Sequence, residues 1–558
     1  MSENQQKLRG NTTLREKPIL LGFAIQKERP NGGIQVSICW GRVIAALLAL
    51  AVTGWISATG ALYTYLKYVQ EFDTVNYTEV LLLQKKELRR KIGDHQIQES
   101  IAYAKAGNYR DAFRLLHFGV ARSPGNLEGR KYIAEFYELA MKRPSTAADY
   151  LLKGLEHGGL QDMEYTKQVL RVLLRNQMDK KVQEIADANL PEEPELTEIN
   201  RTLALGAANA NYQRGNYDRA EDYLITYNLV ESLEGLLISS RISWERGNHI
   251  AAITKLEKMI DKFPNAEPLL VQLSTYYREM KDFDKARRFA MLRSIKEPLN
   301  YKPKLELLYI YSQDNDTKSE ESEIERIFDQ FGKDETALLE FANFAAKTGK
   351  VELVKRIQTV ALENGFDIDK FYILLLEAYI FSQDYTGALD SADELIEKQP
   401  KWLTDRWSIF NSLRSIAAYA TGRPDLGEVY LQNFLEDPNH TPQTYLSIAN
   451  HFLTIDRVPQ ARKILTVAYQ QIPKNQRILS ELIKVELELG NTEKLSEMLA
   501  QLLKMRRPQM SLLAEAYREL GSDRFIFTEN RETLLLQIGA ILRENNQSLS
   551  PLELNPQL

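Results

Sequence analysis

The sequence predicts an all-α protein: a solenoid of about twelve helical hairpins standing behind one membrane-spanning helix. Three observations carry that expectation. A short motif returns about every 34 residues over more than two thirds of the chain. A run of 24 residues near the N-terminus has no charge. Gly and Pro are scarce, at 28 and 19 of 558 residues, which favours helix throughout. A chain of this length exceeds one compact core, but a repeat array grows along one axis and escapes that limit.

Residues 1–42 read as a basic N-terminal segment. They hold seven basic side chains (Lys7, Arg9, Arg15, Lys17, Lys27, Arg29, Arg42) against three acidic ones. The whole chain has a net charge of −5, so the part beyond the span is acidic. An acidic body argues against nucleic acid as a partner, because phosphate backbones need a basic surface. Cys39 is the only cysteine. An internal disulfide and a Cys-x-x-Cys site are therefore both excluded.

Residues 43–66, VIAALLALAVTGWISATGALYTYL, predict the transmembrane helix. As a helix the run is about 36 Å long, enough to cross a hydrocarbon core with some tilt. Arg42 and Lys67 bracket it, and Trp40, Tyr63, Tyr65 and Tyr68 sit near its ends, where amphipathic rings favour the interface. A cleaved signal peptide is the competing reading, with Ala58-Thr59-Gly60 as a small-residue site; the long apolar run and the 42 residues ahead of it speak against cleavage. A buried soluble helix would seldom be apolar on every face. The excess of basic residues ahead of the span puts the N-terminus in the cytoplasm and the large C-terminal region across the membrane, in the periplasm if the cell is bacterial. Residues 67–95 are expected to form a helical juxtamembrane connector.

The repeat array is expected over residues 96–521. GNYRDA at 107–112 returns as GNYDRA at 215–220, and weaker copies start at 247, 281, 349, 383, 422, 456 and 490. Degenerate copies at 142, 178 and 315 are placed by the period alone. The leading Gly suits a left-handed helix end, where a missing Cβ removes the steric cost. The small residue five positions on, as at Ala112, Ala220, Ala252, Ala286, Ala388 and Ala461, lets two helices approach closely. Proline after the second helix, as at Pro124, Pro264, Pro298, Pro400 and Pro473, stops it. Residues 522–558 are expected to supply a C-terminal capping helix and a loose tail, since an open solenoid end must hide its apolar face.

This pattern resembles the tetratricopeptide repeat family, including its Tyr four residues before the Gly position at Tyr103, Tyr277 and Tyr379. The resemblance covers roughly residues 96–510 and suggests a membrane-anchored member. It implies that the first helix of each repeat lines an inner groove that captures a protein or peptide. The inward face so implied holds Asn209, Tyr212, Arg241, Trp244, Thr275, Arg278, Asn343, Glu377 and Asn450. Tyr, Trp and Arg suit peptide capture because they dominate interface energetics. The Asn positions are similar to the family's clamp for C-terminal carboxylates. The clamp's Lys has no counterpart, because the matching sites are Leu205, Leu237, Leu339 and Leu446. A longer spacing of 39 residues marks an insertion near 401–407, where Trp402 and Trp407 form a docking knob or are buried by a longer first helix.

The residues give no sign of chemistry. The six histidines (His95, His117, His157, His249, His440, His451) form no ligand-spaced cluster. Thr348-Gly349-Lys350 lacks the upstream Gly of a phosphate loop. Paired carboxylates such as Glu192-Glu193 lie in polar stretches. No catalytic, cofactor or metal site is therefore expected. The expected function is a membrane-anchored scaffold for protein partners, with envelope assembly, secretion or polysaccharide export suggested by analogy with other anchored tetratricopeptide proteins. The alternative is a carbohydrate-binding accessory protein whose groove aromatics stack on sugar rings.

Overall fold

The computed structural model describes residues 16–28, 32–70, 72–73, 75–82 and 84–544. Lys7, Arg9, Arg15 and Arg29 of the basic segment lie outside them, as does the tail from 545 onward. Helices dominate the chain. It divides into two compact units, one ending at Asn176 and one starting at Gln177.

The first unit adds one small sheet to the expected helices. Strands Glu16–Ile19, Ala24–Glu28 and Ile34–Ile38 form an antiparallel sheet in sequence order. Ile25 faces Ser37 and Gln26 faces Val36 in the register. The pattern Ile34-Gln35-Val36-Ser37-Ile38 alternates with period two and is rich in β-branched residues, which suits a strand with one apolar face. The sheet is tied to the helix that follows: Cys39 N donates to Phe23 O at 2.8 Å, and Arg42 Nη1 donates to Gly22 O at 3.1 Å.

The apolar run forms the helix Trp40–Thr64, extended by a π turn over Tyr65–Val69. By length and composition it is able to cross a membrane. Ile44, Leu47, Leu48, Leu50 and Val52 are all exposed. Its second half is clasped on one side by the short helix Tyr77–Leu81. Trp55 Nε1 donates to Leu81 O at 2.9 Å, and the Tyr63 and Tyr77 rings meet edge to face at 5.6 Å. Beyond it, Lys85–Lys105 and Tyr109–Arg122 pack as the first hairpin, where Gly93 and Gly119 let the two backbones touch.

The 34-residue period has one structural cause. In each of the twelve repeats the link between the two helices contains a residue in the left-handed region, with φ between +52° and +81°. These residues are Gly107, Lys142, Gln177, Gly215, Gly247 and Lys281, then Asn315, Gly349, Gln383, Gly422, Asp456 and Gly490. Eleven coincide with the start of the sequence motif; the twelfth falls at Gln177, one residue before the expected Met178. The degenerate repeats at 142 and 315 therefore make the same turn as the regular ones. The motif alanines Ala112, Ala220, Ala252, Ala286, Ala388 and Ala461 are all buried between helices. Of the aromatic residues two positions after the left-handed link, Tyr109 is 64% exposed whereas Tyr217 is buried.

In the second unit the hairpins stack into a tetratricopeptide-like solenoid. Its core is a succession of apolar clusters along the stack, centred in turn on Leu224, Leu273, Phe341 and Phe410. The helix Arg531–Glu544 lays Leu534, Ile538 and Leu542 against the last of these. In the insertion, a 3-10 turn at Lys401–Leu403 precedes the helix Trp407–Ala420. Trp402 stacks on Tyr372 and Trp407 on Phe410, at 5.7 and 5.6 Å.

The second unit also contacts itself across a long stretch of sequence. Asp179, fully buried, receives Arg506 Nε at 3.0 Å and Nη2 at 2.7 Å. Arg507 N donates to Gln213 O at 3.0 Å, and Arg214 Nη2 donates to Lys504 O at 2.9 Å. The stack thus completes a turn and locks its 504–509 loop onto the start of the unit.

Candidate functional site on the inner wall

First helices of successive repeats line the inner side of the second unit, and each contributes one face. Three hollows open there. The first, of 550 Å³, lies between the helices Glu198–Arg214, Leu233–Glu245 and Glu267–Glu279. Tyr212, Arg241, Trp244 and Thr275 of the expected inward face all line it.

Packing holds its side chains in place. The Trp244 indole stacks on Tyr276 at 3.9 Å with only 3° between planes, and on His249 at 4.1 Å. Two rings at that distance occupy opposite faces of the indole. Arg241 Nε donates to Gln272 Oε1 at 3.0 Å, and Gln272 Nε2 donates to the Tyr276 hydroxyl at 2.9 Å. Gln272 and Tyr276 are buried and anchor the exposed Arg241 at the end of this polar chain.

The charge of the first hollow is acidic. Glu245, Glu267 and Glu279 line it against the one arginine. Glu245 is exposed by area, but the walls of the hollow desolvate its carboxyl and raise it above its ordinary range; Arg507 pulls it down and the like charge of Glu279 adds to the rise. Burial also raises the hydroxyls of Tyr212 and Tyr276. These carboxylates were not singled out in the sequence. The available signal is that Glu245 and Glu279 stand at the same repeat position, each two residues before its left-handed link.

The second hollow, of 310 Å³, holds Asn343 and Glu377 among Leu339, Ile373, Leu374 and Ile409. Glu377 is half-buried by area, but its carboxyl is desolvated by these apolar neighbours and is raised to about 7; Lys347 opposes the shift. Asn450 lies in a third hollow, of 970 Å³, near the 504–509 loop. Asn209 and Arg278 are half-buried on the same first helices but line none of the three. The expected site residues thus divide among separate hollows. Among the described residues no three His, Cys, Asp or Glu side chains converge as metal ligands would.

No family model matches the chain, and no curated protein matches it. Among solved structures, a chain from the structure of Naa15/Naa10 bound to HypK-THB is similar at 13% identity, with 89% of this chain and 80% of that one covered and a TM-score of 0.28. A chain from the crystal structure of the APC/C hetero-tetramer Cut9-Hcn1 is similar at 12% identity, with 80% and 96% covered and a TM-score of 0.24. Both superpose too loosely to inform function.

Proposed function

We propose that this protein is a membrane-tethered scaffold that holds a protein partner along the inner wall of its repeat array. One observation carries the reading: Arg241, Gln272, Tyr276 and Trp244 are already joined to one another by hydrogen bonds and ring stacking. A preformed wall of Trp, Tyr and Arg avoids the ordering cost that weakens flexible surfaces. Glu245 and Glu279 around it, with Glu267 already paired to Arg293, favour a partner segment that inserts a Lys or Arg, whose aliphatic stem lies along the aromatic edge. The carbohydrate alternative fits less well, because both faces of the Trp244 indole are covered and offer no sugar ring a place to stack. The function rests on binding rather than catalysis.

The tether is the apolar helix at Trp40–Val69, with the N-terminus in the cytoplasm and the array on the other side, suited to envelope assembly, secretion or polysaccharide export. Two experiments test these statements. A photo-crosslinking residue at Thr275 should capture a defined protein in native membranes, while the same group at Leu362, exposed on a second helix, should not. Equal capture at both positions removes the inner wall as the docking face. For orientation, Cys39 is the only native thiol. A Cys39→Ser chain with Leu362→Cys should react with a membrane-impermeant maleimide added outside intact cells. Reaction only after lysis puts the array in the cytoplasm.

A further inference from the structure

The third hollow differs from the first in both origin and charge. It exists because the stack closes on itself. Gln177 and Gln213 from the start of the unit meet Arg506 and Arg507 from its end, and the helices Pro442–Thr454 and Gln476–Leu489 form the wall between. Six cations line it: Lys347, Lys474, Arg477, Lys484, Arg506 and Arg507. Glu481 is the only carboxylate.

Two of the six are neutralised locally. Lys484 pairs with Glu481 at 2.7 Å, and Arg506 is held by the buried Asp179. Lys347, Lys474, Arg477 and Arg507 make no ion pair among the described residues. Arg507 is the most constrained of the four. Its guanidinium lies 4.4 Å over the Tyr217 ring, and its buried Nε and Nη1 have no hydrogen-bond acceptor. Arg246 and Arg287, by comparison, each reach two carboxylates: Asp218 and Glu221 for the first, Asp284 and Asp314 for the second. In a chain of net charge −5, four cations without an ion-pair partner around one hollow, two of them felt only at longer range by Glu377 and Glu245, are an accumulation that an anionic ligand would relieve.

We propose that this hollow binds an acidic, extended segment of a partner protein, seating its carboxylates among Lys347, Lys474, Arg477 and Arg507. The rest of the wall suits a peptide backbone: Gln177, Gln213, Gln443, Asn450 and Gln509 present amides that donate and accept. Single-stranded nucleic acid would need a row of aromatic rings to stack its bases, and Phe381 is the one aromatic residue in the lining. A small phosphate would be gripped by cations converging on one point, whereas these come from a first-helix end, the start of another helix and the closing loop. The hollow is separate from the one at Trp244, so the proposal stands or falls independently of that site.

The test uses the full-length protein in lipid nanodiscs and a fluorescein-labelled peptide of alternating Ala and Glu, read by anisotropy. The peptide should bind, weaken with added salt, and lose affinity by about tenfold or more when Gln replaces its Glu. Lys474→Glu combined with Arg477→Glu should cost about tenfold or more, without a change in melting, because neither side chain pairs within the fold. Lys347→Gln is the second variant, expected to weaken binding by about threefold. No binding, equal binding of the Gln peptide, or undiminished binding by both variants overturns the proposal. So does displacement of the peptide by tripolyphosphate or oligothymidylate at a tenth of the concentration of unlabelled peptide, which reassigns the hollow to a phosphate or nucleic-acid ligand.

Discussion

Glu377 and Gly215 show how single residues carry the site. A Glu377 carboxyl that titrates near 7 binds its proton more tightly in the folded chain than in the unfolded one. Its effect on stability is therefore absent at low pH and turns unfavourable as pH rises from about 4.5 through 7. Glu377→Gln should leave the melting temperature unchanged near pH 4 and raise stability by about 2 kcal/mol near pH 8, after allowing for partial solvent screening. A pH series of melting curves for the two proteins checks this. Gly215 has φ of +81°, and a Cβ there would lie 2.6 Å from Arg507 Cδ. Gly215→Ala meets both a left-handed backbone and a neighbour that cannot retreat without leaving Tyr217. A loss of about 1–3 kcal/mol is expected in chemical denaturation. Gly247→Ala, with the same backbone and open space around it, should lose less, and the difference measures the closing contact.

At the scale of elements, the turn inside each hairpin explains what was legible in the sequence and what was not. Glycine marks six of the twelve left-handed links, and these were read directly. Lys142, Gln177, Lys281, Asn315, Gln383 and Asp456 make the same turn with a Cβ in place; the rest of the motif marks those at 281, 383 and 456, and only the period reveals the other three. Each such position stores about 1–2 kcal/mol of backbone cost. Lys281→Gly should recover roughly 0.5–1 kcal/mol of stability, less than the full strain because glycine also frees the unfolded chain. Thermal unfolding of that variant is the check. The strands at 16–38 were missed for a different reason. Their alternation is short, and the basic residues around them read as a topology signal. Of the inner face implied by the tetratricopeptide resemblance, Tyr212, Arg241, Trp244 and Thr275 share one hollow, because helix periodicity carries one face from repeat to repeat. Asn209 and Arg278 share that side but reach no hollow, which depends on how far neighbouring helices splay and is not encoded in spacing.

Across the whole second unit, the pairing of Arg506 with Asp179 changes the mechanics of a repeat stack. An open solenoid couples only nearest neighbours and frays from its ends. Here residues 327 apart in sequence are joined by a bidentate ion pair, and neither partner announces the other in the sequence. Arg506→Ala would leave a buried carboxylate with only the distant Arg214, at 3.9 Å, and should cost about 3–5 kcal/mol locally. Hydrogen exchange is the suitable readout. Protection should fall together at 177–189 and 504–509 while helices midway along the stack keep theirs. Loss spread evenly over the stack would mean that closure adds nothing beyond neighbour packing.

On the proposed reading of Trp40–Val69 as a membrane tether, the clasp of Tyr77–Leu81 against Trp55 decides how the chain would meet lipid. Only the part of the helix from Trp40 to Gly54 is clear of it, a length of about 22 Å at helical rise, whereas a typical hydrocarbon core is about 30 Å thick. A thick bilayer seats the whole apolar run only by peeling the short helix away and giving up the bond from Trp55 to Leu81. A thin one leaves it fastened. Lipid thickness and the release of this helix are then one equilibrium, in which the membrane sets the length of the leash.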